Sequence, residues 1–171
     1  MHREKKFCKE SRVIKTSHVL PPDTNVHNTL FGGKLMAYID DCASLSATRH
    51  ARNPVVTAST DSVDFLSPIG MEDSVCLESF VTWTGRTSME VFVKVIAEHL
   101  LTGERRIAAT SFLTFVALDQ QKVPIEVPEV VPETEEERKL HETAIKRTAR
   151  RRQRRDESQQ LADFITTNKP W

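Results

Sequence analysis

Residues 25–41, NVHNTLFGGKLMAYIDD, combine an amide, two adjacent glycines and a carboxylate in an order that suits attack on an acyl carbonyl. Gly32 and Gly33 stand where a helical pattern begins, and backbone N–H groups at a helix start lack intrahelical acceptors and carry partial positive charge. Because glycine has no side chain, a carbonyl oxygen can approach those amides closely. Asp40 follows on the same helix, and Asn25 precedes the glycines with an amide that can orient a water or a carbonyl. Together these groups can polarise a carbonyl, position a nucleophile and remove a proton.

The two neighbouring acids of this helix are not equivalent. On a helical wheel Asp40 falls at the border of the apolar face, whereas Asp41 falls on the polar side. We therefore expect Asp41 to be solvated or salt-bridged and Asp40 to be half-buried, where a carboxylate is costly. The simplest alternative is that Asp40 only accepts hydrogen bonds from a neighbouring backbone. The apolar face is expected to comprise Leu35, Met36, Ile39, Cys42, Ala43, Ser46 and Ala47.

The glycines and the acid are separated along the helix. By the rise per residue of an α-helix, Gly33 and Asp40 are about 10 Å apart. That distance is too long for one acyl group to contact both within one chain. A second copy of the chain is one way to supply the missing half of the site.

The other elements around this helix are predicted to be strands. Alternating and β-branched patterns predict strands over residues 11–21, 55–65, 74–84, 88–100 and 105–119. Short connections between the last four predict an antiparallel meander, and the length of the strands indicates strong curvature. The fold class is therefore expected to be α+β, with a curved antiparallel sheet wrapped around one long central helix.

A second helix is predicted near the carboxyl end of the chain. Thr134 and Glu137 form a T-x-x-E capping box, and the helix turns from acidic at its start to strongly basic in RRRQRR. Its apolar stripe is thin, so it either leans on the domain or projects from it. We divide the chain into a charged N-terminal segment (1–10), a main domain (11–122), a proline-rich extended connector (123–132) and a basic C-terminal helix and tail (133–171).

The composition excludes several classes of protein. The 171 residues carry 24 Lys and Arg against 24 Asp and Glu, so the whole chain is neither a polyanion nor a generally cationic nucleic-acid binder. Cys8, Cys42 and Cys76 are isolated and form no C-x-x-C motif, which argues against a disulfide framework or a zinc site and fits a reducing cytoplasm. The chain start has no apolar segment typical of a signal peptide, and no apolar run is long enough to span a membrane. We expect a soluble, cytoplasmic protein.

Four stretches in this order, PDTNVHNTLFGGKLMAYIDD, VVTASTDSVDF, GRTSMEV and FLTFVALD, resemble the hotdog-fold acyl-CoA thioester hydrolases. The branch it resembles holds bacterial short- and medium-chain acyl-CoA hydrolases and the cytosolic animal enzymes. The resemblance covers roughly residues 11–132. It implies hydrolysis of fatty acyl-CoA to free acid and CoA, a homodimer with its active sites across the interface, and further assembly, with a trimer of dimers favoured over a tetramer.

The resemblance also implies roles for individual residues. Asp40 matches the family's catalytic acid and Asn25 its upstream Asn, while Gly32 and Gly33 match the pair whose amides polarise the thioester carbonyl. Thr57 matches a position that helps to hold the water.

The resemblance also indicates which residues contact the CoA part of the substrate. The turn that contains Arg86, Thr87 and Ser88 resembles the one that lies against CoA. Phe31 stands where many relatives have His. The resemblance implies no metal or redox cofactor beyond CoA as part of the substrate, and His27 is more often structural than catalytic in such a position.

Alternatives to the enzyme remain at this point. A non-enzymatic acyl-CoA-binding hotdog regulator keeps the pocket but loses the acid, whereas both Asp40 and Asn25 are retained here. Hydration or dehydration of β-hydroxyacyl thioesters needs a His–acid pair that the sequence does not show. The run RRRQRR suits binding to nucleic acid or another anionic surface, contact with an acidic neighbour in an oligomer, or contact with the CoA 3′-phosphate. Runs of this kind are usually solvated helix faces.

Overall fold

The computed structural model describes residues 3–168 of the chain and contains each strand and helix expected from the sequence. The strands are β1 (Lys5–Phe7), β2 (Val13–His18), β3 (Val55–Phe65), β4 (Asp73–Thr84), β5 (Ser88–His99), β6 (Arg105–Ala117) and β7 (Glu129–Val131). The helices are α1 (Cys8–Ser11), α2 (Gly32–Ala51) and α3 (Glu135–Phe164). A short 3₁₀ turn covers Pro21–Asp23.

Five strands form one antiparallel sheet in the order β2-β4-β5-β6-β3. The expected meander is right for β4, β5 and β6, which tight turns connect, but it is wrong for β3. Since β4 already pairs with β2 on one side and β5 on the other, β3 takes the outer edge of β6 instead. Residues 66–72 therefore cross from the β3 edge of the sheet to β4, next to the other edge, and the amides of Leu66 and Ser67 both donate to the carbonyl oxygen of Ala108.

Helix α2 contacts all five strands of this sheet, which curves around it. This arrangement confirms the predicted hotdog fold. Its buried apolar face agrees with the wheel except at Met36, which is 47% exposed. Opposite it the sheet contributes a continuous apolar layer that includes Val81, Val91, Val93, Leu113 and Phe115.

Helix α3 covers part of the other face of the sheet and is capped as expected. Thr134 Oγ1 accepts a hydrogen bond from the amide of Glu137 at 3.2 Å, and the Glu137 carboxylate accepts from the amide of Thr134 at 3.0 Å. The first half of α3 leans on the sheet, with Ala144 fully buried, whereas its end carries exposed apolar side chains such as Phe164. Within residues 3–168, no helix is both long enough and apolar enough to cross a membrane.

The segments on either side of the main sheet pair with each other. β1 pairs in parallel with β7, so the proline-rich connector contains a short strand. The amide of Val130 also donates to Thr84 Oγ1 at 3.2 Å, which ties β7 to the main sheet. The division of the chain at residues 10, 122 and 132 stays a prediction, and its ends, residues 1–2 and 169–171, lie outside the described residues.

A buried histidine near the end of α2 is expected to make stability depend on pH. His50 Nε2 lies 2.9 Å from the carbonyl oxygen of Pro128 and donates to it, while Nδ1 has no partner among residues 3–168. Burial lowers the pKa of His50 below its usual 6.5, and the bond to Pro128 opposes this only in part. As the pH falls below 6.5, the unfolded chain therefore binds a proton that the folded chain excludes, so the free energy of unfolding decreases.

Thermal unfolding between about pH 7.5 and about pH 5.5 tests this dependence. We expect the melting temperature to fall with pH in the parent chain and to fall less in His50→Gln. His27→Gln serves as the control, because it removes a histidine from an exposed position. Equal pH dependence in the parent and His50→Gln would assign the effect to other groups.

Candidate functional site

The loop before α2 is a turn built around Asn25. Its Oδ1 accepts hydrogen bonds from the amides of His27 and Thr29 at 2.9 and 3.3 Å, and its Nδ2 donates to Thr29 Oγ1 at 3.0 Å. The amide of Phe31 donates to the carbonyl oxygen of Asp23 at 2.8 Å and closes the loop. Asn25 therefore lies beside the start of α2 with its carbonyl oxygen engaged in the turn, and Nδ2 has a second hydrogen to offer.

The glycine pair leaves two backbone donors at the start of α2. The first amides that bond back to Phe31 are those of Lys34 and Leu35, at 2.9 and 3.0 Å. The amides of Gly32 and Gly33 precede them and have no acceptor within residues 3–168. Because the helix dipole adds partial positive charge here, the two amides suit an oxygen that gains negative charge.

Close packing limits a side chain at Gly33 more than at Gly32. A Cβ on Gly33 would lie 2.6 Å from the ring of Phe31, whereas a Cβ on Gly32 would make an ordinary 3.6 Å contact with Phe65. A side chain at residue 33 would thus push the Phe31 ring away from the helix start.

A cleft of about 420 Å³ opens beside these amides. Its lining is mostly apolar, as an acyl chain requires. The lining residues include Asn25, Leu30, Gly32, Leu35, Phe65, Leu66 and Ile69. Asn25 and Gly32 are thus brought together as the sequence indicated.

The predicted catalytic acid has a specific partner. Asp40 is half-buried, and its Oδ1 accepts a hydrogen bond from Thr57 Oγ1 at 3.0 Å. Asp41 is exposed and forms an ion pair with Lys15. The difference expected between the two acids is therefore present, and the partner of Asp40 is a side chain rather than the neighbouring backbone of the simplest alternative.

A β-bulge after Thr57 determines which way the following side chains point. Thr57 pairs with Phe115, whose side chain lies in the core next to α2, while Ser59 pairs with the adjacent Thr114, on the opposite face. Without the bulge at Ala58, residues 57 and 59 would share a face. The bulge thus directs Thr57 toward Asp40 and Ser59 toward α3.

The structure assembles two half-sites in one chain and does not join them. Asp40 accepts a hydrogen bond from Thr57, and Asn25 and Gly32 line the same cleft. By helix rise, however, the glycines and Asp40 are about 10 Å apart along α2. The lining of the 420 Å³ cleft includes Gly32 and not Asp40.

The turn between β4 and β5 holds the residues expected to contact CoA. The amide of Gly85 donates to the carbonyl oxygen of Ser88 at 2.9 Å, and a Cβ on Gly85 would lie 2.8 Å from Ser88 Oγ. Arg86, Thr87 and Ser88 line a second cleft of about 660 Å³. The opposite wall of this cleft is the basic part of α3, for which contact with the CoA 3′-phosphate was one of the alternatives left open by the sequence.

Two acids that the sequence analysis missed hold α3 in this position. Glu90, fully buried in β5, accepts hydrogen bonds from Arg147 Nη2 at 2.8 Å and Nε at 3.1 Å. Asp61, at a second bulge of β3, lies 3.0 Å from Arg151 Nη1 and 2.5 Å from Arg154 Nη2. The only signal in the sequence was an acid inside an otherwise apolar strand, SMEVFV.

The charge of Asp61 is stabilised by these contacts. Burial raises the pKa of its carboxyl group, but hydrogen bonds from Ser59, Thr114 and Arg151 outweigh that effect, so the pKa lies below the usual 3.8. Asp61 is therefore ionised at neutral pH and pairs with the arginines of α3. Within residues 3–168, no three His, Cys, Asp or Glu side chains come close enough to hold a metal ion.

A curved five-stranded sheet around one helix, with free amides at the helix start and a carboxylate two turns later, defines a hotdog-fold thioesterase. The model of the thioesterase superfamily matches residues 27–104. An uncharacterized acyl-CoA thioester hydrolase of Bacillus subtilis is 68% identical over 168 residues, which are 98% of this chain and 98% of that protein. The chain belongs to the acyl-CoA thioester hydrolase family.

Solved structures agree with this assignment. The acyl-CoA hydrolase of Bacillus cereus is 55% identical, with a TM-score of 0.93 over 96% of this chain and 99% of that one. The acyl-CoA hydrolase of Staphylococcus aureus, in complex with butyryl-CoA, CoA and CoA disulfide, is 45% identical, with a TM-score of 0.90 over 94% and 98% of the two chains.

Proposed function

We propose that this protein hydrolyses fatty acyl-CoA thioesters to the free acid and CoA. The observation that carries the proposal is the pair of half-sites on α2: free amides at Gly32 and Gly33 for the carbonyl oxygen, and Asp40 held by Thr57 at 3.0 Å for the nucleophile. The apolar cleft beside Gly32 supplies room for part of the acyl chain.

The reaction needs few groups. The glycine amides stabilise the oxyanion that forms when the thioester carbonyl is attacked. Asp40 either takes a proton from the attacking water or attacks the carbonyl itself to give a mixed anhydride, which water then cleaves. The electron pair of the C–S bond leaves on the CoA sulfur, whose thiol has a pKa of about 8.5, so departure needs no strong general acid. This chemistry requires no metal or redox cofactor.

Two copies of the chain complete each active site in this proposal, with the amides of one facing Asp40 of the other. The 10 Å gap along α2 supports this arrangement. So does β3, an edge strand whose outer side pairs with no strand of the described residues. A hexameric acyl-CoA thioesterase, 54% identical with a TM-score of 0.86, supports a trimer of such dimers.

Three variant structures of the Staphylococcus aureus enzyme support the residue assignment. They replace an Asp, an Asn and a Thr by Ala. Along that chain the three residues follow the same order and intervals as Asn25, Asp40 and Thr57 do here. On the same proposal, Arg86, Thr87 and Ser88 contact CoA. The animal relatives support a cytoplasmic location, since the rat enzyme, 36% identical over 71% of this chain and 32% of that protein, is named cytosolic.

Release of free CoA thiol from acyl-CoAs of about two to eighteen carbons tests the proposal, with a disulfide reagent as the readout. We expect turnover, with a maximum that identifies the preferred chain length. Binding of acyl-CoA without turnover of any chain length would replace the enzyme with an acyl-CoA-responsive regulator.

Thr57→Val should lower kcat about tenfold, because it removes a hydrogen bond to a charged group without changing the side-chain volume. Thr57→Ser keeps the hydroxyl and should keep most of the activity. The comparison of kcat for the three chains on one acyl-CoA measures the effect. If Thr57→Val matches the parent, the bond to Asp40 does not contribute to the reaction.

A further inference from the structure

The 660 Å³ cleft on the outer face of the sheet is strongly cationic. It lies between the β4–β5 turn and the second half of α3, and the described residues that line it include no acid. Its five cationic side chains are Arg86, Arg151, Arg152, Arg154 and Arg155. The wall also offers the hydroxyl groups of Ser88 and Ser158 and the indole of Trp83.

The arginines of α3 divide into two sets. Arg147, Arg151 and Arg154 lie on the face that docks on the sheet, where Glu90 and Asp61 pair with them. Arg152 and Arg155 are three residues apart and hence neighbours on the helix surface. Neither forms an ion pair within the described residues 3–168. These two side chains face the cleft and not the sheet acids.

The docked set determines where the free set points. Because three arginines bond to acids of β3 and β5, α3 cannot rotate about its axis without breaking buried ion pairs. Arg152 and Arg155 are therefore held near Arg86, although their own side chains are exposed. Arg86, Arg152 and Arg155 form no ion pair within residues 3–168, and like charges held close together are costly unless an anion binds them.

Phosphate is the anion that suits this arrangement. A guanidinium group donates two parallel hydrogen bonds to two oxygens of one phosphate. A phosphate monoester carries a charge of about −1.5 to −2 at pH 7. CoA has one such group, the 3′-phosphate of its nucleotide, besides the diphosphate. The ring of Trp83 is placed to contact a base beside the phosphates.

The cleft and the candidate active site lie next to each other along β3, on opposite faces of the sheet. Ala58 and Ser59 line the cleft, and Thr57, the residue before them on β3, holds Asp40. Residues 57–59 of the edge strand β3 thus contribute both to the cleft and to the surroundings of Asp40.

We propose that Arg152 and Arg155 bind the 3′-phosphate of the CoA nucleotide, so that the protein distinguishes CoA thioesters from thioesters that lack this phosphate. The inference rests on the proposed acyl-CoA hydrolase function and assigns the substrate's nucleotide end to α3. The basic run of the helix is then divided between docking on the sheet and recognition of the substrate.

Steady-state kinetics with an acyl-CoA and its 3′-dephospho analogue test the proposal. We expect Arg152→Gln/Arg155→Gln to raise KM for acyl-CoA by about 10- to 100-fold, in proportion to the charged hydrogen bonds removed. KM for the dephospho analogue should change less than about threefold, and kcat should change little with either substrate. Lys146→Gln/Arg150→Gln is the control: it removes the same charge from exposed positions of α3 outside the cleft and should leave both KM values unchanged.

Direct binding separates this inference from the proposed function. Calorimetry with adenosine 3′,5′-bisphosphate should show binding that Arg152→Gln/Arg155→Gln weakens and the control does not. A parent chain that hydrolyses acyl-CoA while the double variant keeps its KM and its affinity for the bisphosphate overturns the inference alone. A parent chain that binds the bisphosphate through these arginines but hydrolyses no acyl-CoA overturns the proposed function alone.

An outcome of another kind would reassign the cleft. Salt-sensitive retention on heparin that the double variant loses, together with unchanged KM for acyl-CoA, would overturn the CoA assignment in favour of a polyanionic surface. Equal rises of KM for acyl-CoA and the dephospho analogue would also overturn it, since the arginines would then not read the 3′-phosphate. Unfolding curves of both double variants should match the parent, because neither set of side chains pairs with an acid in the described residues.

Discussion

Asp40→Asn is expected to lower kcat by at least about 10²-fold on the preferred acyl-CoA, with little change in KM. The amide has nearly the same shape and still accepts the hydrogen bond from Thr57, but it can neither take a proton from water nor attack a carbonyl. Thiol release measured on purified chains of the same oligomeric state shows the effect. The loss should appear in kcat because the carboxylate acts on the attacking group and not on the bound CoA.

The adjacent acid supplies a matched control. Asp41→Asn removes the same charge one residue away, but Asp41 is exposed and pairs only with Lys15. An exposed ion pair of this kind contributes about 0–1 kcal/mol to stability, so we expect activity within about twofold of the parent. Full activity in a folded Asp40→Asn oligomer would remove Asp40 from the mechanism, and a loss in Asp41→Asn alone would reverse the assignment of the two acids.

Arg147→Ala is expected to lower the free energy of unfolding by about 3 kcal/mol, because it removes the nearest cation of the buried Glu90 carboxylate and leaves only Arg151, at 3.6 Å, to pair with it. Glu90 is fully buried, and three of its contacts come from Arg147, at 2.8 to 3.1 Å. The Arg147 guanidinium also lies 4.1 Å from the centre of the Phe112 ring, so the substitution loses packing as well as charge. Urea denaturation followed by circular dichroism measures the change.

A control and a second substitution isolate the buried charge as the cause. Arg150→Ala removes an exposed arginine of the same helix and should change stability by less than about 0.5 kcal/mol. Adding Glu90→Gln to Arg147→Ala should recover part of the loss, since the buried group that has lost its nearest cation is then neutral. Equal stability of Arg147→Ala and Arg150→Ala would show that the ion pair is not needed to hold α3.

Several features of the site could be predicted from the residues because they depend on contacts close in sequence. The start of α2 at Gly32 and the capping box of Thr134 and Glu137 follow from backbone chemistry within one helical turn. The different surroundings of Asp40 and Asp41 follow from helix geometry alone, since adjacent residues point about 100° apart. The resemblance to a known family added Thr57 as a candidate residue.

Other features depend on which distant segments meet. The predicted pairing of β3 with β4 was wrong. Strand pairing depends on which edges remain open after β2 has paired with β4, and not on distance along the chain. The direction of Thr57 toward Asp40 depends on a bulge that no local pattern marks. The separation of the two half-sites likewise needs the actual course of α2 and its neighbours.

The sequence by itself determined the helix that carries the site, its free amides and its half-buried acid, since each follows from a spacing of a few residues. The tertiary structure alone decided what the arginine run does. Arg147 meets Glu90 and Arg151 meets Asp61 across 57 and 90 residues of chain. Burial in the sheet makes those pairs strong enough to hold α3, and this contact leaves Arg152 and Arg155 beside the β4–β5 turn. Charge along a sequence indicates that a helix is basic, but only the packed sheet shows which of its arginines are neutralised.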